Sequence, residues 1–206
     1  MKLSTFTALG ALVALQAQAA SPAPSLDLLR RAANPNPTLN SYTASASLSA
    51  VLHAVIPVRK NLTGTVYYLR PKRKIEFQNL SGPLSRFKDL ASTTPTYDEA
   101  TAQYAITPLE DDGTVSTYQL VPKNTGSRVK SLTVTVNDQS ALVSHAQWAY
   151  TNGGSLSFDQ SYSPVGSYRL PSTAVIAARF PGYSVDGTMT FSNYKPNAPV
   201  SAGVFQ

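Results

Sequence analysis

Positions 42–56 read Tyr-Thr-Ala-Ser-Ala-Ser-Leu-Ser-Ala-Val-Leu-His-Ala-Val-Ile, and this stretch decides the fold class of the chain. Every even position is apolar, while five of the seven odd positions carry Thr, Ser or His. Successive side chains of a β-strand point to opposite faces, whereas a helix with this sequence would spread its apolar groups around the whole cylinder. The stretch therefore predicts a long strand with one buried face.

The same alternation recurs along most of the chain and favours antiparallel pairing. Strands of a parallel sheet are buried on both faces and read as unbroken apolar runs with helical patterns between them, and the sequence shows neither. Turn sequences such as Asp111-Asp112-Gly113 and Asn152-Gly153-Gly154 separate the alternating segments at hairpin distances. We predict a mainly β protein with a curved antiparallel sheet of about ten strands.

Helical patterns are short. Residues 25–33 can form one helix, which Pro35 prevents from continuing. Residues 83–90 can form a second, because Leu84, Phe87 and Leu90 recur every three residues and line one stripe. Turn-forming residues flank this second segment. We therefore expect Leu84, Phe87 and Leu90 to face the concave side of the sheet as a movable lid.

The N-terminus reads as an export signal. Lys2 gives a positive start, residues 5–17 are moderately apolar, and Ala17-Gln18-Ala19 supplies the small residues that a signal peptidase requires. A membrane anchor is the alternative, but the apolar stretch is shorter than the roughly 20 residues that a spanning helix needs. We assign residues 1–19 to a signal peptide and residues 20–206 to a single domain, whose core forms without any cysteine.

Positive charge is concentrated in residues 59–88, which hold eight Lys or Arg and one acid. Two interpretations are open: a site for anionic partners such as lipid head groups, or hairpin ends that are simply solvated. Arg59 and Lys60 fall at one predicted turn and Arg70 to Lys74 at the next, so the two groups should lie at opposite ends of the sheet. Nucleic acid is not expected as a partner, because the known binding motifs are absent.

Residues that could carry catalysis are few. The two histidines, His53 and His145, occupy polar positions of predicted strands, and no phosphate loop, nucleophile motif or metal-spaced ligand set is present. The acid pairs around Asp98 and Asp111 are typical of solvated loops. We predict a protein that is not an enzyme, with no catalytic residues, no cofactor and no metal site.

The inner face of a curled sheet is the remaining candidate site. If the even-numbered phase of the strands points inward, this face forms a hollow rich in aromatic side chains, where an acyl chain or a similar apolar ligand would bind. The alternative is that helices and loops fill the hollow, which would then be ordinary core. The predicted ligand-binding residues of the hollow are Tyr42, Leu48, Val66, Tyr68, Tyr118, Leu120, Trp148, Tyr150 and Phe158.

The order of these features resembles a known family. The segment Gly64-Thr-Val-Tyr-Tyr-Leu-Arg-Pro71, the basic strand after it and the ending Phe191-Ser-Asn-Tyr194 with Asn197 and Phe205 are similar to the outer-membrane lipoprotein carrier and receptor superfamily, the LolA/LolB-like proteins. The resemblance spans about the whole mature chain. It implies a half-open β-barrel lidded by short α-helices, whose hydrophobic hollow shields acyl chains in the periplasm, without catalysis.

Two functions follow as hypotheses. The first is an exported, monomeric carrier in the periplasm or outside the cell, which binds lipid or lipoprotein acyl chains and would also accept anionic head groups. The second is a structural or sensory module of the cell envelope, whose sheet and edges bind an envelope protein and no lipid.

The export signal makes a direct prediction about the mature N-terminus. Sequencing of the exported protein should begin at Ala20 or within a residue or two of it, because Ala17 and Ala19 satisfy the small-residue requirement of the peptidase. An exported protein that retains Met1 would contradict the assignment.

Overall fold

The computed structural model describes residues 23–78, 89–93 and 95–206, and the strands in this part form one antiparallel sheet of eleven strands. The fold-class prediction is confirmed. The strands are β1 Ser41–His53, β2 Val58–Leu69, β3 Lys72–Phe77, β4 Asp89–Thr93, β5 Tyr104–Asp111, β6 Val115–Pro122, β7 Val129–Asn137, β8 Leu142–Tyr150, β9 Ser155–Val165, β10 Tyr168–Phe180 and β11 Tyr183–Pro196. The helices are α1 Leu26–Ala32, α2 Tyr97–Gln103 and a short 3-10 helix, Ala202–Phe205.

The strand order is that of an up-and-down barrel with one contact missing. Across the sheet it runs β4-β3-β2-β1-β11-β10-β9-β8-β7-β6-β5. Consecutive strands are neighbours except β4 and β5, and β1 pairs with β11. The sheet is therefore a barrel interrupted between β4 and β5, and α2 precedes β5 at this interruption. This arrangement is the half-open barrel that the family resemblance implies.

The even-numbered phase of β1 points inward, as the sequence predicts. Tyr42, Ala44 and Ala46 are buried, whereas Ser45 and Ser47 are exposed. Because a shift of one residue would move every apolar side chain of the strand to the solvent face, this alternation fixes the register on both sides of β1.

The first predicted helix is present, and a second helix lies where none was predicted. The Ser25 hydroxyl caps α1 by accepting a hydrogen bond from the Asp27 amide at 3.2 Å. A capping box starts α2, in which the side chains of Thr96 and Glu99 each bind the backbone amide of the other. The sequence pattern Thr-x-x-Glu was the available signal for α2. Among the described residues, no helix has the length and apolar character needed to cross a membrane.

The helix predicted over residues 83–90 is wrong at its C-terminal end. Asp89 and Leu90 begin strand β4, in which Leu90 pairs with Ile75 of β3. A stripe of three residues is weak evidence for a helix, and pairing with β3 satisfies the backbone groups that a strand edge would leave open. Leu84 and Phe87 of the predicted lid lie outside the described residues, as do residues 1–22 with the predicted signal peptide.

Two hydrophobic clusters hold the described part of the chain together. The first joins the strands around the β1–β11 pairing and contains Leu39, Tyr42, Ala44, Ala46, Val66, Ile75, Phe77, Leu170, Ala174, Met189 and Phe191. The second lies under α1 and contains Leu28, Leu29, Ala32, Tyr118, Leu120, Val134, Val136 and Ala141. We call them the pairing cluster and the helix cluster.

Gly64 is the position where the pairing cluster leaves least space. It pairs with Phe77 of β3, and a Cβ at this position would lie 2.4 Å from the backbone oxygen of Glu76. We expect Gly64→Ala to lower the free energy of unfolding by about 1–3 kcal/mol, because backbone must move to admit the methyl group. Urea denaturation measures the change.

Gly187→Ala is the matched control. Gly187 also lies inside a central strand, but its nearest contacts for a new Cβ are at 3.4 Å. This variant should change the stability by less than Gly64→Ala. Equal effects of the two variants would contradict the steric argument.

Candidate functional site: the concave face of the sheet

The inward side chains form rows that cross the sheet from strand to strand. One row runs through register partners on five strands, from Trp148 through Leu156, Ala178 and Val185 to Leu52. Another row, nearer the opposite end of β1, places Ala46 beside Phe191. The two rows are six residue positions apart on β1, from Ala46 to Leu52, which corresponds to about 20 Å along the strand.

The structure divides the nine predicted hollow residues into three groups. Tyr42, Leu48, Val66 and Tyr68 belong to the pairing cluster or pack against it. Tyr118 and Leu120 belong to the helix cluster. Trp148, Tyr150 and Phe158 are half-buried and belong to neither cluster within the described residues.

The helix α1 covers the concave face over β6 and β7. Its residues Leu28 and Leu29 are buried in the helix cluster, and Tyr118 beneath them is fully buried. The Tyr118 hydroxyl donates a 2.7 Å hydrogen bond to the carbonyl oxygen of Ser25, the residue that caps the helix. In the structure, Tyr118 and Leu120 therefore contact α1.

The concave face of β8, β9, β10 and β11 carries a run of aromatic side chains. Trp148 meets Phe158 edge to face, with ring centroids 5.6 Å apart. Further toward the hairpin tips, Phe180 contacts Tyr150 and stacks on Tyr183, each at 5.4 Å. We call this set, Trp148, Tyr150, Phe158, Phe180 and Tyr183 together with Leu156, the aromatic wall.

Gly154 lets the aromatic wall continue across the β8–β9 turn. A Cβ at Gly154 would lie 2.3 Å from the Phe180 ring, so a side chain here would displace that ring. The absence of a side chain allows Phe180 to lie against the turn and beside Tyr150.

Arg73 points into the same concave face at the other end of the strands. It shares one face of β3 with the buried Ile75 and Phe77, and its guanidinium carbon lies 5.1 Å from the centroid of the Phe191 ring. Its Nε atom is buried and forms no hydrogen bond with the described residues. The sequence interpretation of the basic segment as two groups at opposite ends is confirmed by the register, in which Val58 pairs with Leu52 and Lys72 with Leu69.

Four tyrosines lie around Arg73. Tyr42 stacks on Tyr68 at 4.9 Å and meets Tyr194 edge to face at 5.4 Å. The hydroxyls of Tyr194 and Tyr162 donate to the carbonyl oxygens of Pro171 and Val143. We call the group of Arg73, Tyr42, Tyr68, Tyr162 and Tyr194 the arginine cage.

The pKa values of these tyrosines report both burial and the nearby charge. Burial raises the pKa of Tyr42, Tyr162 and Tyr194 above the ordinary value, and the positive charge of Arg73 partly offsets the rise for all three. The guanidinium therefore acts on three phenols that come from three strands, β1, β9 and β11.

A polar cavity opens beside the arginine cage. It has a volume of about 490 Å³, and Tyr162 of the cage is part of its wall. Gln160, Ser144 and Arg169 also line it. The Gln160 amide donates to the Tyr162 hydroxyl, so the cavity and the cage share one hydrogen-bonded side chain.

Each histidine is paired with an aspartate on a neighbouring strand. His145 pairs with Asp159 at 2.7 Å, and His53 pairs at 3.2 Å with Asp186, which also forms an ion pair with Arg179. No group of three or more His, Asp or Glu side chains in the described part of the chain is arranged to hold a metal ion.

Sequence reasoning missed three residues of this face. Phe180 and Tyr183 flank a turn, and their role in the aromatic wall depends on the β10–β11 register. Arg73 was assigned only to a basic turn. The available signal was the phase of the strand. Arg73 falls on the same face as Ile75 and Phe77, whereas Lys72 and Lys74 fall on the opposite face.

The fold of the chain is that of LolA superfamily proteins. Comparison of the sequence with protein-family models gives no match, and neither does comparison with curated proteins. Among solved structures, a LolA superfamily protein from Nitrosomonas europaea matches with a TM-score of 0.59 at 8% identity, covering 88% of this chain and 96% of that chain. An outer membrane lipoprotein-sorting protein domain from Vibrio parahaemolyticus matches with a TM-score of 0.59 at 12% identity, covering 88% of this chain and 95% of that chain.

A third structure extends the same likeness. A DUF1329 family protein from Desulfovibrio piger matches with a TM-score of 0.53 at 10% identity, covering 87% of this chain and 95% of that chain. The predicted resemblance to the LolA/LolB-like proteins is confirmed at the level of the fold.

The hydrogen bond between Tyr118 and Ser25 fastens α1 to the sheet. We expect Tyr118→Phe to lower the free energy of unfolding by about 1 kcal/mol, because the Ser25 carbonyl keeps its bond from the Leu28 amide. Urea denaturation measures this change. Tyr67→Phe, on the outward phase of β2, is the control and should be neutral within about 0.5 kcal/mol; equal losses would contradict a specific role for the Tyr118 hydroxyl.

Proposed function

We propose that this protein is an exported, non-catalytic binding protein that carries the acyl chains of lipids or lipoproteins on the concave face of its sheet. The observation that carries the proposal is the aromatic wall. Its side chains are inward-facing and apolar, yet Trp148, Tyr150, Leu156 and Phe158 are only half-buried and belong to neither hydrophobic cluster of the described residues. Contiguous apolar surface of this kind is typical of binding sites.

The position of the wall favours a long, flexible ligand. The pairing cluster lies on one side of it and the helix cluster on the other, so a ligand along β8 to β10 would bridge two packed regions. Ile176 and Gly187 continue the same face toward β1, and Gly187 contributes no side chain. An extended acyl chain fits such a strip, because its recognition needs apolar contact and no directional bonds.

The fold likeness supports the same proposal. The matched proteins named for the LolA superfamily and for lipoprotein sorting share this architecture over nearly their whole length. Since one fold hosts several functions, the likeness raises the expectation of an envelope carrier, and we assign the cargo site to the aromatic wall as part of the proposal. An exported location, in the periplasm or outside the cell, belongs to the same proposal.

One feature favours the alternative function of an envelope module that binds a protein. The tip of the β1–β2 hairpin exposes Val55 completely and Ile56 at 75%, and both lie beside Arg59 and Lys60. Exposed apolar residues at a loop tip are common contacts for a partner. Under this alternative, the wall would bind no lipid and the hairpin tip would carry the activity.

Trp148 reports directly on the proposed site, because it is the single tryptophan of the chain. Addition of dodecan-1-ol, an uncharged single-chain probe, should shift its emission to shorter wavelength as the probe displaces water from the indole. Trp148→Ala should weaken binding of the probe by roughly 1.5–3 kcal/mol, because the ring loses its apolar contact with the chain. Calorimetry measures the affinity.

The outward-facing Tyr67→Ala is the matched control and should leave the affinity unchanged. If Trp148 is core only, Trp148→Ala should instead reduce the stability by roughly 3–5 kcal/mol, and the probe should leave the emission of the wild type unaltered. If the emission of Trp148 does not change while dodecan-1-ol binds at saturation, the binding site must lie in another part of the protein.

A further inference from the structure

We propose that the arginine cage is a binding site for the anionic head group, carboxylate or phosphate, of a single-chain amphiphile whose tail lies along the aromatic wall. This inference rests on the proposed function and adds to it the chemical class of the cargo and the direction in which it lies. Arg73 would bind the oxyanion, and the tail would extend toward Trp148.

The first argument is the charge of Arg73. Its guanidinium lies among aromatic rings, with Nε buried and without a hydrogen bond to any described residue. A charged group removed from water is unfavourable unless a counter-charge and hydrogen bonds compensate for it. The Phe191 ring supplies a cation–π contact, and no described residue accepts a hydrogen bond from the buried Nε donor.

The second argument is the absence of a carboxylate partner. No described Asp or Glu forms an ion pair with Arg73, and the sequence of residues 1–22, 79–88 and 94 contains no acid. Asp89, whose side chain is not described, pairs in register with Glu76, three positions along β3 from Arg73. The nearby Glu76 pairs with Lys74 at 2.9 Å.

The third argument is the surrounding phenols. The hydroxyls of Tyr162 and Tyr194 are held by carbonyl oxygens, whereas the hydroxyl of the buried Tyr42 forms no hydrogen bond with the described residues. Tyr42 thus offers a donor beside the guanidinium. An oxyanion could accept from both groups, and hydrogen bonds between charged partners are the stronger class.

The fourth argument is access and length. The cavity of about 490 Å³ beside Tyr162 gives an oxyanion a polar approach to the cage, and Arg169 in its wall adds positive charge. From the Phe191 row, where the Arg73 guanidinium lies, to the Trp148 row is about 20 Å along β1. This distance suits a long acyl chain in extended form.

The test compares dodecanoate, dodecyl phosphate and dodecan-1-ol by calorimetry at a pH where the carboxylate is ionised. The wild type should bind both anions about tenfold or more tightly than the alcohol. Arg73→Met should remove that preference and leave binding of the alcohol within about twofold. Arg73→Lys should keep part of the preference, since it retains the charge but loses the planar fork.

Lys72→Met is the matched control, one residue away on the exposed phase of the same strand, and should retain the preference. The stability without ligand gives a second readout. Arg73→Met should unfold at the same or a higher temperature, because it removes an unpaired charge from an aromatic environment.

The outcomes separate the two proposals. If none of the three probes binds, the proposed function itself fails. If the alcohol and the anions bind equally to the wild type, the proposed acyl-chain site is supported, but the arginine cage is not a head-group site. A fall in melting temperature together with equal loss of all three probes in Arg73→Met would show that Arg73 is a structural residue, and would overturn the inference.

Discussion

The pairing of β1 with β11 is the constraint on which the rest of the structure depends. It joins the first strand to the last over eleven register positions, from Tyr42 with Pro196 to His53 with Ser184. Every other strand contact is between neighbours in sequence, so this single pairing brings the two halves of the chain into one sheet. The buried residues on both sides of it form the pairing cluster, and they do so in a chain without disulfides.

The concave face created by this pairing is used in two ways. Where α1 and the pairing cluster cover it, large side chains such as Tyr118, Val66 and Leu170 are fully buried and stabilise the fold. Along the aromatic wall the side chains are less completely packed, and at the arginine cage one side chain is charged. Binding sites commonly retain such features at the expense of stability, and their location between the two clusters gives the wall a rigid frame.

Much of the fold could be predicted from the sequence, because period-two alternation and turn residues are local signals. The inward phase of β1, the helix α1 and the half-open sheet follow from such signals or from the family resemblance. The position of Leu90 in a strand could not be predicted in this way, since it depends on the edge of β3 with which β4 pairs. The arginine cage was also missed, because its members come from β1, β2, β3, β9 and β11 and meet only through long-range registers.

The interruption between β4 and β5 has a mechanical consequence. In a closed barrel, the circumference is fixed by a continuous ring of hydrogen bonds, and widening it requires breaking one of the ladders. Here the described strands leave one place without a ladder, so a change in the distance between the margins β4 and β5 would break none of the ten ladders. The girth of the sheet is thus set by side-chain packing across its interior and not by a closed ring of hydrogen bonds.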